Sequence, residues 1–260
     1  MTRRSGLEFN NLTRVFPTET GGHVAIEGFQ ATVRPGEFVS LLGHSGCGKS
    51  TALAIAAGLD RATSGSVIVD GVVVTEPGLD RALVFQSPSL LPWMSALENV
   101  VLASQRRDAA RHYLELVGVA EFADQSPAQL SQGVQQRVAI ARALSLEPNY
   151  LLLDEPFGAL DSITRCELQD LLLDLRGAGR ERKTVIMVTH DVDEALYLSD
   201  RILLMTDGPA ARLGLDLPVR LNRSGTRREM VADPEYFRLR SEVIGFLEHH
   251  SRQFIREMAA

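Results

Sequence analysis

Phe38-Val-Ser-Leu-Leu-Gly43-His-Ser-Gly-Cys-Gly-Lys49-Ser50 is the stretch on which the fold turns. Its first five residues read as a short buried strand, a glycine-rich turn follows at once, and from residue 50 to 59 the spacing is helical. The turn fits G-x-x-x-x-G-K-[ST] in the strand-then-helix setting that this pattern requires. Its glycines allow several backbone N–H groups to point at one anion, and the helix N-terminus adds partial positive charge. Lys49 is expected against the β- and γ-phosphates of a nucleotide, and the Ser50 hydroxyl on Mg²⁺. A Gly-rich turn would match by accident on the order of once in a hundred chains of this length.

Outward from this loop, short apolar runs alternate with helical patterns. Residues 82–85, 150–153 and 184–188 read as buried strands; 161–175 and 191–198 read as helices. Such alternation predicts an α/β domain around a largely parallel sheet. Residues 95–130 are helical in period with no strand runs between, and read as a helical insertion. The expected layout is one domain: a core of residues 1–86 and 146–232, an insertion of 87–145 and a C-terminal helix from 233. Tyr236, Leu239, Val243, Ile244 and Leu247 share one face of that helix, which suits packing on the core or, alternatively, a partner.

Tyr150-Leu-Leu-Leu153 runs directly into Asp154-Glu155-Pro156. Ligands of open α/β sheets bind beyond the carboxyl ends of strands. Asp154 is therefore the candidate for the Mg²⁺ shell, and Glu155 the candidate general base that orients and polarises the attacking water. A surface Asp-Glu turn is the competing reading, and the run before it is too apolar to lie outside. His190 ends the strand at 184–188 and is a candidate for the γ-phosphate; alone, such a histidine is more often structural. Gln86 closes the strand at 82–85, where its amide could reach Mg²⁺ or the water.

Leu130-Ser-Gln-Gly-Val-Gln-Gln-Arg137 leads into a helix read at 138–144. Taken alone, it is a helix N-cap, Ser131, followed by a solvated Gln/Arg turn. The full order is phosphate loop, Gln after a strand, helical insertion, this segment, then Asp154-Glu155. That order resembles the ATP-binding subunits of ABC transporters over nearly the whole chain. The resemblance implies a P-loop NTPase core, mostly parallel, with an antiparallel β portion and an inserted helical subdomain. It implies ATP and Mg²⁺ as ligands, with Gly43, His44, Ser45, Gly46, Cys47, Gly48, Lys49, Ser50 and Thr51 around the phosphates and Phe16 stacked on adenine. It also implies that Ser131 and Gly133, the signature segment, bind the γ-phosphate held by an opposite subunit, and that Asp161 lies in a loop crossing the dimer interface. Gln132 and Val134 depart from the family's usual LSGGQ wording.

Further segments resemble the nitrate/nitrite/cyanate importer group, with bicarbonate and sulfonate or taurine importers close in wording. They include Glu76-Pro-Gly-Leu-Asp-Arg81, Leu90-Leu-Pro-Trp93, Thr206-Asp-Gly-Pro-Ala210 and Asp233-Pro-Glu-Tyr-Phe-Arg-Leu-Arg240. The implied partners are a second ATP-binding subunit, membrane-spanning permease subunits and, indirectly, a solute-binding protein. The implied place is the cytoplasmic face of the bacterial cell membrane, peripherally held. A non-transport ABC ATPase acting on DNA or ribosomes is the alternative class, and an ATP-binding regulatory subunit of low turnover is a third.

Composition narrows these options. A formal charge of −6 and a pI near 5.6 speak against nucleic acid, whose binders show a basic stripe. The basic N-terminus has no apolar stretch behind it and does not read as a signal peptide. No run reaches the length that crosses a bilayer. Cys47 and Cys166 have no metal-ligand spacing and read as reduced thiols.

Overall fold

The computed structural model describes residues 5–18, 21–177, 182–223 and 225–258; the basic residues 1–4 lie outside these. In chain order the elements are β1 (Leu7–Thr18), β2 (Gly21–Val33), β3 (Phe38–Leu42), α1 (Lys49–Ala57), β4 (Ser64–Val69), β5 (Val72–Val73) and β6 (Arg81–Val84). Then come α2 (Ala96–Ser104), α3 (Arg107–Leu116), two short 3₁₀ turns, α4 (Gln132–Leu144), β7 (Tyr150–Asp154) and α5 (Ser162–Gly177). The chain ends with β8 (Thr184–Thr189), α6 (Val192–Leu198), β9 (Arg201–Met205), β10 (Leu213–Pro218), α7 (Arg227–Val231) and α8 (Pro234–Met258).

These elements form two compact units, Met1–Pro77 with Ile186–Ala260, and Gly78–Val185. The boundaries differ from the expected 86/87 and 145/146. The second unit holds more than helices, because β6 and β7 pair in parallel within it, Arg81 opposite Tyr150 and Val84 opposite Leu153.

In the first unit, β1, β2, β4 and β5 make an antiparallel sheet in the order β2-β1-β4-β5. Phe9 and Phe29 meet edge to face across it with ring centroids 5.1 Å apart. Beside it, β3 pairs with β9 in parallel and β9 with β10 antiparallel. All five residues of β3 are buried, as are Ile202–Met205 of β9. Burying each such large apolar side chain is worth about 1.5–3 kcal/mol, which fixes the strand ends from which loops project. Leu42, Leu196, Ile202, Leu204, Tyr236, Leu239 and Val243 share one apolar cluster, so α8 uses the face its sequence marks to pack on this core.

In the second unit, α2, α3 and α4 pack on one another. Ser95 and Glu98 form a reciprocal capping box at the start of α2. Buried Asn99 bonds the backbone of Leu91, Met94 and Ser95, tying α2 to the loop before it. No helix among the described residues is long and apolar enough to cross a membrane.

Candidate functional site: a phosphate loop, an acidic strand end and a capped helix

The phosphate loop grows out of β3. Gly48 stands at the N-cap of α1 with φ 90° and ψ 7°, and no side chain caps this end. A Cβ on Gly48 would come within 2.7 Å of Ile26 Cγ1, so both conformation and space require glycine there. An uncapped helix start leaves its first N–H groups directed at whatever anion the loop receives. Lys49 is 5% exposed, and its Nζ donates to the carbonyls of Gly43 at 2.7 Å and His44 at 2.8 Å. Burial pushes the neighbouring Cys47 thiol above the usual range, despite the opposing charge of Lys49. Among the described residues, neither Cys47 nor Cys166 is part of a disulfide. Ser45, Gly46 and Ser50 are exposed, and Thr51 is half-buried in the first turn.

Two other candidates share this unit. Phe16, near the end of β1 opposite His23, is half-buried, with the Arg14 guanidinium 4.4 Å from its ring centroid. His190 is exposed between Thr189, whose hydroxyl donates to buried Glu194 at 2.7 Å, and Asp191, the N-cap of α6.

The second unit brings two candidates into contact. Gln86 follows β6, and its Nε2 donates to Glu155 Oε2 at 3.1 Å. Glu155 comes directly after β7, half-buried, with φ 44°, a left-handed conformation uncommon for a side-chain-bearing residue. Asp154 closes the strand and is also half-buried. The hydroxyl of Ser50, the amide oxygen of Gln86 and the carboxylate of Asp154 are hard oxygen donors, the chemistry that suits Mg²⁺.

The signature segment differs from its expected local structure. α4 starts at Gln132, six residues before the reading at 138, with Ser131 as N-cap: its Oγ accepts from Val134 N at 3.3 Å. The polar Gln135 and Gln136 thus lie inside the helix. Gln135 Nε2 donates to the carbonyls of Pro127 and Leu130, and Gln136 Nε2 to that of Phe85. Gln132 points outward as an exposed residue of the first turn, while Gly133 is buried.

A Cβ on Gly133 would lie 2.5 Å from the Thr164 methyl. Thr164 is fixed in turn by Asp161, whose Oδ2 accepts from its hydroxyl at 2.7 Å and whose Oδ1 accepts from its N–H at 3.1 Å. Those bonds, the Thr164 hydroxyl first, hold the Asp161 carboxyl below its usual range. Two expected site residues, Gly133 and Asp161, are therefore joined through Thr164. The sequence reading missed Thr164; the available signal was Asp161-Ser-Ile-Thr164, an acid three residues before a hydroxyl at a helix start.

The ABC transporter family model matches residues 26–158, across the phosphate loop and the acidic strand end. The nitrate import ATP-binding protein NrtD of Synechococcus elongatus is 49% identical over 93% of this chain and 91% of its own. This chain belongs to the ABC transporter family. The bicarbonate transport ATP-binding protein CmpD of Synechocystis sp. is 45% identical over 93% of this chain and 88% of its own. Among solved structures, a dimeric post-hydrolysis state of the ATP-binding cassette MJ0796 bound to ADP and Pi matches with a TM-score of 0.73 and 35% identity. That match covers 82% of this chain and 99% of the other. The expected ABC ATPase fold is thus the one observed, and the chain is a nucleotide-binding, ATP-hydrolysing cassette of the ABC transporter family.

Proposed function

We propose that this chain binds MgATP, hydrolyses it at a site completed by a second ATP-binding subunit, and thereby powers the import of a small anion. The observation that carries this reading is the bond from Gln86 to Glu155, which unites the candidate water-polarising carboxylate with the last residue before the helical segment. The loop N–H groups from Gly43 to Thr51 and the Lys49 ammonium hold the phosphates. Phe16 stacks on adenine. Ser50, Asp154 and Gln86 would hold Mg²⁺, which when bound neutralises charge on the phosphate oxygens. Glu155 accepts a proton from the attacking water, and His190 donates to the γ-phosphate. Ser131, Gly133 and Asp161 serve the nucleotide of the opposing subunit. Support for pairing comes from the dimeric cassette with ADP and Pi.

Membrane-spanning permease subunits seat near residues 86–93, a stretch that follows the 43% exposed Phe85 and ends at the 74% exposed Trp93. The chain therefore works at the cytoplasmic face of the cell membrane, held by those subunits, with a solute-binding protein upstream. The solute is of the nitrate, nitrite or cyanate type, supported by NrtD. Bicarbonate is the second reading, supported by CmpD.

The test is ATPase rate per mole against protein concentration, for wild type beside Ser131→Arg. Specific activity that climbs with concentration and vanishes in the variant is the expected result. Flat activity surviving the substitution overturns the shared site. With co-purified permease and binding protein in vesicles, nitrate rather than bicarbonate should stimulate turnover.

A further inference from the structure

His44, the second residue of the phosphate loop, reaches away from the loop. Its Nε2 lies 3.2 Å from the carbonyl oxygen of Leu247 in α8. A carbonyl only accepts, so this nitrogen carries the proton and donates. The same nitrogen stands 3.8 Å from Asp207 Oδ1, beyond hydrogen-bond reach, and that buried oxygen has no hydrogen-bond partner among the described residues. Asp207 follows β9, and Gly208 beside it lies against the loop, its Cβ position 3.5 Å from Gly46 O.

The far side of this junction is firm. Val243 is fully buried, and the Phe246 ring lies on Gly214 of β10, where a Cβ would come within 2.4 Å of it. The His250 ring sits 4.3 Å from Phe246. Burial, then the charge of His249, lowers the His250 pKa; Asp207 opposes this, and His44 adds a smaller lowering of its own. Histidines and a carboxylate from three segments therefore share one junction beside the phosphate loop. Leu247 lies in the interior of α8, so its carbonyl is a fixed anchor with a second lone pair to spare.

Resting on the phosphate-binding reading, we infer that His44 is a positioning residue: it fastens the phosphate loop to α8 through the Leu247 carbonyl, with the Asp207 carboxylate beside the donating nitrogen. Nucleotide in the loop and the C-terminal half of α8 are then coupled, each steadying the other. A side chain that presents an N–H where imidazole Nε2 stands can replace His44; one that presents it at the Nδ1 position cannot. Glutamine is of the first kind and asparagine of the second.

The experiment measures KM and kcat for MgATP in wild type, His44→Gln and His44→Asn, with amide exchange across α8 read with and without MgATP. His44→Asn should raise KM by about three- to tenfold, the worth of one such bond, with kcat nearly unchanged. His44→Gln should restore KM to within about twofold of wild type on the same argument. MgATP should slow exchange in the second half of α8 in wild type and His44→Gln only. Equal KM values for the Asn and Gln variants, or exchange in α8 indifferent to MgATP, overturn this inference alone. A wild type that binds no MgATP overturns the phosphate-loop reading with it.

Discussion

Gln86 Nε2 donates to Glu155 Oε2 across 3.1 Å, so the last residue before the helical segment holds the carboxylate at the end of β7. Glu155 is further constrained by its left-handed backbone, φ 44°, a conformation retained against its local cost because neighbouring structure fixes it. The bond also makes the carboxylate's orientation depend on where the start of the helical segment lies. On the proposed role of Glu155 as general base, a conformational step there would govern turnover.

Removing the charge while keeping the shape isolates the chemistry. Glu155→Gln should leave ATP affinity within about twofold of wild type and lower kcat by about 10²–10⁴-fold, the usual worth of a general base. Equilibrium binding of a fluorescent nucleotide beside steady-state phosphate release checks both halves. Wild-type turnover in the variant would remove Glu155 from that role.

Gly133 and Thr164 give a prediction of compensation. Gly133→Ala places a methyl 2.5 Å from Thr164 Cγ2, while Asp161 prevents the threonine from turning away. Overpacking of this kind costs about 1–3 kcal/mol. Thr164→Ser deletes the obstructing methyl and keeps the hydroxyl bonded to Asp161, so the double variant should recover at least half of the loss. Denaturant midpoints for the four proteins of the cycle provide the measurement; strict additivity would refute the contact.

Ser131 serves local structure as well as any trans contact. Ser131→Ala removes the cap of α4 and should cost about 1 kcal/mol, a fall in Tm of about 2–4 °C for a chain of this size. Ser131→Asn keeps a capping oxygen and should hold the wild-type Tm. If both variants lose ATPase activity while only one loses stability, the hydroxyl has a role beyond the cap.

Tyr236 supplies a pH dependence. Its buried hydroxyl donates to Asp193 Oδ1 at 2.7 Å, and burial, followed by that bond, pushes its pKa well above the usual value of 10.0. A folded-state value that is raised favours the protonated phenol. The stabilisation is therefore complete below pH 10 and is lost as pH rises through the folded value. Tm measured from pH 8 to 11 should fall less steeply at the alkaline end in Tyr236→Phe than in wild type. Identical slopes would show that another group sets the alkaline limit.

Legibility varied with the type of signal. The strand Phe38–Leu42 appears at its expected bounds, and α1 starts one residue before its reading, because apolar run and glycine turn agree there. α4 was cut short since Gln135 and Gln136 read as solvated; in three dimensions their amides satisfy backbone carbonyls, which a one-dimensional pattern does not reveal. The alternation of β1 is blurred by register shifts between Phe9 and Leu12 and between Leu12 and Arg14, so the sheet it forms was expected only through resemblance. Glu155 and Gln86 were visible as candidates at the ends of apolar strands, whereas their bond was not. Asp207 showed only as part of Thr206-Asp-Gly-Pro-Ala210, for its partner His44 is far away along the chain.

The enclosure of Lys49 has a practical outcome for labelling. The sequence has just one other lysine, Lys183, whose Nζ donates to the Pro148 carbonyl at 3.0 Å. An ammonium group sealed among two carbonyl oxygens is a poor target for acylating dyes, which need an accessible neutral amine. Lysine-directed reagents used at modest excess should thus mark Lys183 first and spare Lys49. A fluorophore or tether introduced by this ordinary chemistry would leave the phosphate loop unmodified, with no residue needing to be engineered.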